Sequence, residues 1–413
     1  MEKKYPKIEI INVGSELLLH KLNTDILLIS DILLKSGLRV SKCIIVGDKK
    51  DEIKKAIENS LVESEILIIT GGLGPTFDDL TREAISDVLN RKLIFSNYIW
   101  EKIKERFQKI GRDLPEINKK QSYIIDGCEI IENEVGTAPG MFIEENNKII
   151  IVLPGPPNEL GPMLENTIEK IKNKFSSIEN VKIAKFSVCG VPESVVEEKM
   201  RDIIEREKSE HIILAHPDLI ELLFIFDLSI YQEKTEEIDK IFKERFGENY
   251  LGINPPALPE IIGKILKEKK LKLAIAESCS GGLACKLITD IPGSSEYFTG
   301  GFVTYSNTLK KRILRVPKCA LKKYGAVSEE VAICMAKGAK KYGKSDISLS
   351  FTGIAGPTGG SKEKPVGLVW IGVGLPKNKN FAQKFIFNGN RATIRERAVR
   401  TGLNILRKEI MKL

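Results

Sequence analysis

Histidine is nearly missing from this chain: its 413 residues include three, His20, His211 and His216, and none lies beyond position 216. That is too little material for a His/Cys zinc site or for iron–sulfur ligation, so any metal is expected on oxygen ligands. The seven cysteines (Cys43, Cys128, Cys189, Cys279, Cys285, Cys319 and Cys334) are odd in number, scattered, and contain no C-x-x-C pair. Such usage excludes a disulfide framework and fits a reduced, cytoplasmic protein. No apolar run approaches the ~18 residues of a membrane span. The basic start "MEKKYPKIEIINVG" has a short apolar stretch, broken by Glu9 and followed by no small-residue cleavage site, so neither a secretion signal nor a membrane partner is expected. The net charge is +8, but the lysines are spread along surface-type helices instead of gathering with aromatics in one basic block, which argues against a nucleic-acid partner.

What is present is an ordinary globular composition, 42% hydrophobic and 29% charged, in a chain too long for one core. The first part alternates strand-like runs ("KIEIINVG", "LRVSKCIIVG", "EILIITGG", "NKIIIVLPG") with amphipathic helical stretches ("DILLISDILLKSG", "DEIKKAIENSL"), the pattern of a layered α/β domain. It closes with a helix, "NELGPMLENTIEKIKNKF", before the polar linker "SSIEN". A strand–helix–strand–strand–helix module follows. Its order is KH-like, but it lacks the G-x-x-G loop that clamps nucleic acid, so a structural or dimerising spacer is expected. "NPPALPE" marks the second linker, and another βα succession fills the remainder, with "NFAQKFIF" as an edge strand. The expected fold is therefore α/β: two three-layer α/β domains at 1–178 and 254–413, joined by a small α+β KH-like module at 179–253.

One motif misleads. "GAKKYGKS", Gly338 to Ser345, matches the phosphate-loop pattern letter for letter. A phosphate loop must follow a strand and open a helix, and here a helix leads in and a strand leads out. Gly343 reads instead as a left-handed helix C′ residue.

In the last third, "AIAESCSGGLACKLI" places Glu277, Ser278, Cys279, Ser280, Gly281 and Gly282 at a strand-to-helix junction, where a tight turn can expose a nucleophile beside free helix N–H groups. Ser278 or Ser280 could equally be a plain N-cap. Further polar turns, "PGSSEYF", "TYSNTLK" and "SFTGIAGPTGG", would converge at one sheet edge. There Gly353, Gly356, Gly359 and Gly360 would let backbone approach a ligand, or simply make turns. A serine nucleophile needs a base, usually histidine, and this region has none. Lysine is the substitute, provided that burial depresses its pKa from ~10.4. Lys310 is the candidate, in the first turn of a helix if Ser306 or Asn307 caps it. Tyr305 stands close enough to relay or orient a proton. Cys279 is a rival nucleophile, although cysteine is commonly a small buried hydrophobe. Near the N-terminus, "IITGGLGPTFDD" ends a strand with small or turn residues, Gly71, Gly72, Gly74 and Thr76, and then two carboxylates, Asp78 and Asp79. This suits a metal-bridged phosphate, with a divalent ion such as Mg²⁺ on the carboxylates. The plain alternative is that Asp78 or Asp79 caps the following helix.

The segments "AESCSGGL", "DIPGSS", "GGFVTYSNTLK", "YGAVSEEVA", "TGIAGPTGG" and "EKPVGLVWIGV", in that order, resemble the amidohydrolase domain of the CinA (competence/damage-inducible) family. "GSELL", "TGGLGPTFDDLT", "VGTAPG" and "LPGPPNE" resemble the same family's molybdopterin-biosynthesis-like domain. The resemblance implies hydrolysis of nicotinamide mononucleotide to nicotinate mononucleotide and ammonia, in pyridine nucleotide salvage, without a metal or other cofactor. Ser278 would be the nucleophile, Lys310 its base and Tyr305 the assisting phenol. Ser295, Thr352 and the turn glycines Gly281, Gly282 and Gly353 would contact the substrate, and Arg391 its phosphate. Where the family usually has threonine, this chain has Ser280. The N-terminal domain would be a metal-dependent ADP-ribose pyrophosphatase releasing AMP and ribose 5-phosphate, in a homodimeric protein. A non-catalytic nucleotide or pterin sensor, or a chain in which only the pyrophosphatase works, are the alternatives.

Overall fold

In the computed structural model, residues 6–19, 22–175, 181–207 and 211–413 are described. His20 and the linker expected at 176–180, with the boundary near 178, lie outside them. The chain divides into two compact units, Met1–Ile183 with Phe226–Tyr231, and Ala184–Ile225 with Gln232–Leu413.

The N-terminal domain runs β1 (Ile8–Val13), α1 (Ser15–Leu19), α2 (Asp25–Lys35), β2 (Val40–Val46), α3 (Lys50–Glu63), β3 (Ile66–Thr70), α4 (Thr81–Leu89), β4 (Leu93–Phe95), α5 (Asn97–Lys109), β5 (Tyr123–Ile125), β6 (Glu129–Ile131), β7 (Gly140–Glu145), β8 (Lys148–Leu153), α6 (Pro157–Glu165) and α7 (Ile168–Lys174). The main sheet has the order β2-β1-β3-β8-β7-β6, with β2, β1, β3 and β8 parallel, β7 antiparallel to β8, and β6 antiparallel to β7. Its central strands are apolar on both faces because helices cover both. Ile8, Ile10, Ile66 and Ile68 pack with α2, α6 and α7, while Ile11, Leu67 and Ile69 pack with α3, α4 and α5. Each such wholly buried isoleucine contributes about 1.5–3 kcal/mol. The expected single helix over 158–175 is two helices.

The middle segment comprises β9 (Val181–Cys189), α8 (Glu193–Glu207), β10 (His211–His216), β11 (Leu219–Asp227), α9 (Leu228–Phe246) and a strand not foreseen, β12 (Tyr250–Ile253). The sheet order is β10-β11-β9-β12. Within the second unit this module is bonded to the final helix: Asn404 Nδ2 donates to Cys189 O at 3.4 Å, and Lys408 Nζ to Asn249 Oδ1 at 2.6 Å.

The C-terminal domain comprises α10 (Leu258–Glu268), β13 (Leu273–Glu277), α11 (Leu283–Thr289), β14 (Phe298–Val303), α12 (Asn307–Arg312), α13 (Lys318–Tyr324), α14 (Glu329–Tyr342), β15 (Ile347–Gly353), β16 (Leu368–Gly374), β17 (Asn380–Ile386) and α15 (Arg391–Met411). The order β14-β13-β15-β16-β17 makes β17 an edge strand, as read from the sequence. Leu273 and Ile275 face α10, α11 and α15, and Ala274 and Ala276 face α14. In both domains the chain leaves one strand, β1 or β13, to neighbours on either side. That is the topological switch point at which α/β sheets open a crevice.

The phosphate-loop lookalike is the end of α14, and its glycines serve packing. A Cβ on Gly343 would lie 2.6 Å from Ala274 Cβ, and one on Gly338 would lie 2.3 Å from Leu314 O. The expected left-handed Gly343 is corrected. It is right-handed at φ −77°, and the left-handed turn falls on Lys344 at φ +48°.

Candidate active site

The strongest chemistry gathers at the C-terminal ends of β13, β14 and β15. Ser278 follows β13, its N–H donating to Phe351 O at 3.0 Å. Ser306 caps α12, accepting from Leu309 N–H at 3.2 Å, so Lys310 sits near that helix's start with its side chain directed inward. Lys310 is 1% exposed, and its Nζ donates to Ser278 Oγ at 2.8 Å, to Thr304 O at 2.8 Å and to Tyr305 O at 3.1 Å. Desolvation pushes its pKa down to about 8, with the Cys279 thiol acting weakly the other way. The three contacts match the needs of a neutral amine. Two N–H bonds stay on the two carbonyls, and the nitrogen lone pair then faces the serine hydroxyl.

These groups line a cavity of about 260 Å³ together with Thr352, Gly353, Gly356, Thr358 and Arg391. Arg391 opens α15 behind the Asn390 cap and donates to Gly356 O at 2.9 Å. Thr352 is brought to the cavity, but its hydroxyl proton is engaged by Ala326 O at 2.7 Å. Gly281 and Gly282 take left-handed conformations, φ +63° and +96°, in the turn after Ser278. Cys279 is buried in the domain core, and burial pushes its thiol up to about 11, which is the behaviour of a small hydrophobe and not of a nucleophile.

Two expected assignments are corrected. The Tyr305 phenol does not reach Ser278 or Lys310. Past the end of β14, Thr304 is wholly buried and Tyr305 is exposed, and Tyr305 offers the lysine its carbonyl while its hydroxyl lies 3.5 Å from Arg391 Nη2. Ser295 is not at this cavity. It sits in the short turn Ser294–Glu296 ahead of β14, next to Tyr297, whose carbonyl binds Leu273 N–H at the opposite end of β13. Two residues given no role above take part in building the site: Glu277, whose carboxylate accepts three backbone N–H groups, and Arg395, which donates to Ser280 O.

In the N-terminal domain, the loop after β3 and the turn after β1 line a cavity of about 670 Å³ that includes Gly14, Gly71, Gly72, Gly74, Thr76, Asp78 and Asp79. Gly71 and Gly72 have φ +89° and +64°, and a Cβ on Gly71 would lie 2.2 Å from Val13 O. Neither Asp78 nor Asp79 caps α4, whose N-cap is Leu80 without a side-chain bond. Asp79 instead ties its own loop. It accepts from Gly74 N–H at 2.8 Å, from Thr76 N–H at 2.9 Å and from the Thr76 hydroxyl. Buried Arg82 holds the loop from behind, donating to Leu73 O and Gly74 O at 3.0 and 2.9 Å. Asp78 is exposed, and its pKa lies below the ordinary carboxylate value. Both Asp79 oxygens are thus engaged, and among the described residues no group of three or more His, Cys, Asp or Glu could hold a metal ion. Asp79 thus spends its carboxylate on the loop itself, and Asp78 is the loop's solvent-facing carboxylate. No helix among the described residues is long and apolar enough to cross a membrane.

Two doubly covered α/β domains, one with a glycine-rich phosphate-type loop and one with a buried Ser/Lys pair, define the class. Residues 9–173 match the family described as probable molybdopterin binding domain, and residues 256–410 match the CinA C-terminal domain. The chain is 40% identical to a CinA-like protein of Dictyoglomus thermophilum, over 98% of this chain and 100% of that protein. It is 38% identical to a CinA-like protein of Thermotoga maritima, over 97% and 98% respectively. Among solved structures, the competence/damage inducible protein CihA of Agrobacterium tumefaciens is 38% identical over 37% of this chain and 94% of that one, with a TM-score of 0.35. This chain belongs to the CinA family.

Proposed function

We propose that the C-terminal domain hydrolyses the carboxamide of nicotinamide mononucleotide to nicotinate mononucleotide and ammonia. The observation that carries this reading is the buried Lys310 amine, 2.8 Å from Ser278 Oγ in a cavity reached by Arg391. Neutral Lys310 takes the Ser278 proton as Oγ attacks the amide carbon. The N–H of Cys279, next after the nucleophile, is suited to the oxyanion. The C–N bond then breaks, Lys310 returns the proton to the departing ammonia, and water cleaves the acyl ester by the same base. Arg391 suits the nucleotide phosphate, and neither a metal nor another cofactor has a part in this scheme. The test is product analysis of the purified chain with nicotinamide mononucleotide. Absence of nicotinate mononucleotide, or full activity in Ser278→Ala, would sink the reading.

For the N-terminal domain we propose a second hydrolysis, of ADP-ribose to AMP and ribose 5-phosphate. The Gly71–Thr76 loop, with close-packed backbone and an open cavity, supports a diphosphate there. A divalent ion such as Mg²⁺, when bound, would neutralise charge on the diphosphate, and Asp78 is the carboxylate placed to hold it. ADP-ribose binding by calorimetry without AMP release in Mg²⁺ would favour a sensor instead. The protein is proposed to work as a cytoplasmic homodimer in nucleotide salvage.

A further inference from the structure

The turn that carries Ser278 is tied at both ends to one side chain. Glu277, the last residue of β13, is wholly buried, and its backbone carbonyl accepts from Thr304 N–H at 2.8 Å. Its carboxylate reaches forward past the serine. Oε2 accepts from Gly282 N–H at 2.9 Å and Ala284 N–H at 3.3 Å, and Oε1 from Cys285 N–H at 2.8 Å. The segment from Glu277 to Gly282 is thereby closed into a ring by its own first residue, with Ser278 inside it. From the outer side, Arg395 donates from Nε at 3.1 Å and Nη2 at 2.6 Å to Ser280 O. Gly281, at φ +63°, takes the left-handed turn beside that guanidinium. The turn's own side chain does not substitute for these ties: Ser280 is wholly buried, and its hydroxyl has no hydrogen-bond partner among the described residues.

We infer that Glu277 is a positioning residue for Ser278, with Arg395 as its outer brace, the two together holding the serine hydroxyl on the Lys310 amine. The inference rests on Ser278 and Lys310 being the reacting pair. Three N–H donors converge on two carboxylate oxygens, so glutamine cannot replace glutamate: its NH₂ would face at least one of those donors. The Glu277 carboxylate is bonded to these three N–H groups, and the Lys310 amine to Ser278 Oγ and the carbonyls of Thr304 and Tyr305, so Glu277 acts on the place of the nucleophile.

The test separates this inference from the choice of substrate by reading Ser278 directly. A fluorophosphonate reacts by forming a Ser278 Oγ–P bond and breaking P–F. Fluoride leaves, Lys310 takes the hydroxyl proton, and intact mass follows the rate. In the full-length chain, Glu277→Gln should lower the plateau labelling rate by tenfold up to about 10²-fold, the penalty of a small misplacement. The pH midpoint of labelling should stay where the wild type has it. Arg395→Ala, at a half-exposed position, should lower the plateau severalfold, again without moving the midpoint, and it decides the matter if Glu277→Gln does not fold. Folded Glu277→Gln labelling within twofold of wild type would overturn the inference, as would a displaced midpoint, which would make Glu277 an electrostatic partner of Lys310. Wild-type protein that is not labelled at Ser278 would overturn both this inference and the Ser278 reading. Labelling without hydrolysis of nicotinamide mononucleotide would overturn the substrate alone and leave Glu277 in its role.

Discussion

The loop after β3 and the turn after β13 both leave the carboxyl ends of parallel strands, β3 beside the switch strand of its sheet and β13 as the switch strand of the other, and each is tied by a carboxylate that accepts backbone N–H groups. In the N-terminal domain the tie is Asp79, part-exposed, on an open cavity of about 670 Å³. In the C-terminal domain it is Glu277, wholly buried, beside a cavity of about 260 Å³. The difference lies in water. Lys310 is buried, and desolvation lowers its pKa toward that of a base. Around Asp78 the site is wet, the carboxylate stays ionised, and charge on a diphosphate must be met by something brought in from solution.

The sharpest way to break this comparison is to remove the Ser/Lys pair. Ser278→Ala should abolish ammonia release, and Lys310→Met should lower it by roughly 10²–10⁴-fold, the usual worth of a general base, while AMP release from ADP-ribose is unchanged. Next in size, a chelator should stop AMP release and leave ammonia release intact. Asp79→Asn should act on the same domain without chelator, because the amide NH₂ cannot accept from Gly74 and Thr76. It should lower AMP release and destabilise the domain by about 1–3 kcal/mol in denaturant unfolding. Arg391→Ala should raise KM for nicotinamide mononucleotide by about tenfold with a smaller change in kcat, as loss of a charge-assisted contact to phosphate would.

The pH dependence gives the smallest effects. Ammonia release should rise with pH through about 8, since the charged lysine cannot accept a proton, and AMP release should show no inflection of that origin. For stability the sign follows from the depressed lysine. Between about 8 and the ordinary 10.5 the unfolded chain holds the proton and the folded one does not, so raising pH in that window favours the fold. Wild type should gain on Lys310→Met there by up to about 1.4 kcal/mol per pH unit. A flat difference between the two proteins would show that Lys310 is not desolvated.

Much of this was legible in the sequence because it depended on period or on elimination. Strand-like runs alternating with amphipathic helical stretches announced layered α/β domains, and a last third without histidine left lysine as the base for a serine. What was not legible depended on direction. Asp79 could be read as a helix cap and is a loop tie, because the helix starts at Thr81, two residues after it. Ser295 stands in a polar turn like those of the site, but at the far end of β13. Tyr305, past the end of β14, is exposed and turns its hydroxyl to Arg391. Glycine at 343 was read as a backbone requirement and is a packing one, set by Ala274 across the helix–sheet contact.

The sequence by itself determined which chemistries this chain has material for: no Ser-His-Asp triad in its last third, no thiolate metal site, two glycine-rich turns, and a lysine five residues beyond Tyr305. Those are matters of composition and spacing, which no fold can alter. Only the tertiary structure decided that Lys310 is buried against Ser278, that Tyr305 meets it through a carbonyl, and that Glu277 closes the ring around the nucleophile. A pKa, a lone-pair direction and a hydrogen bond all depend on what surrounds a group in space, and that is assembled from strands and helices far apart in the chain.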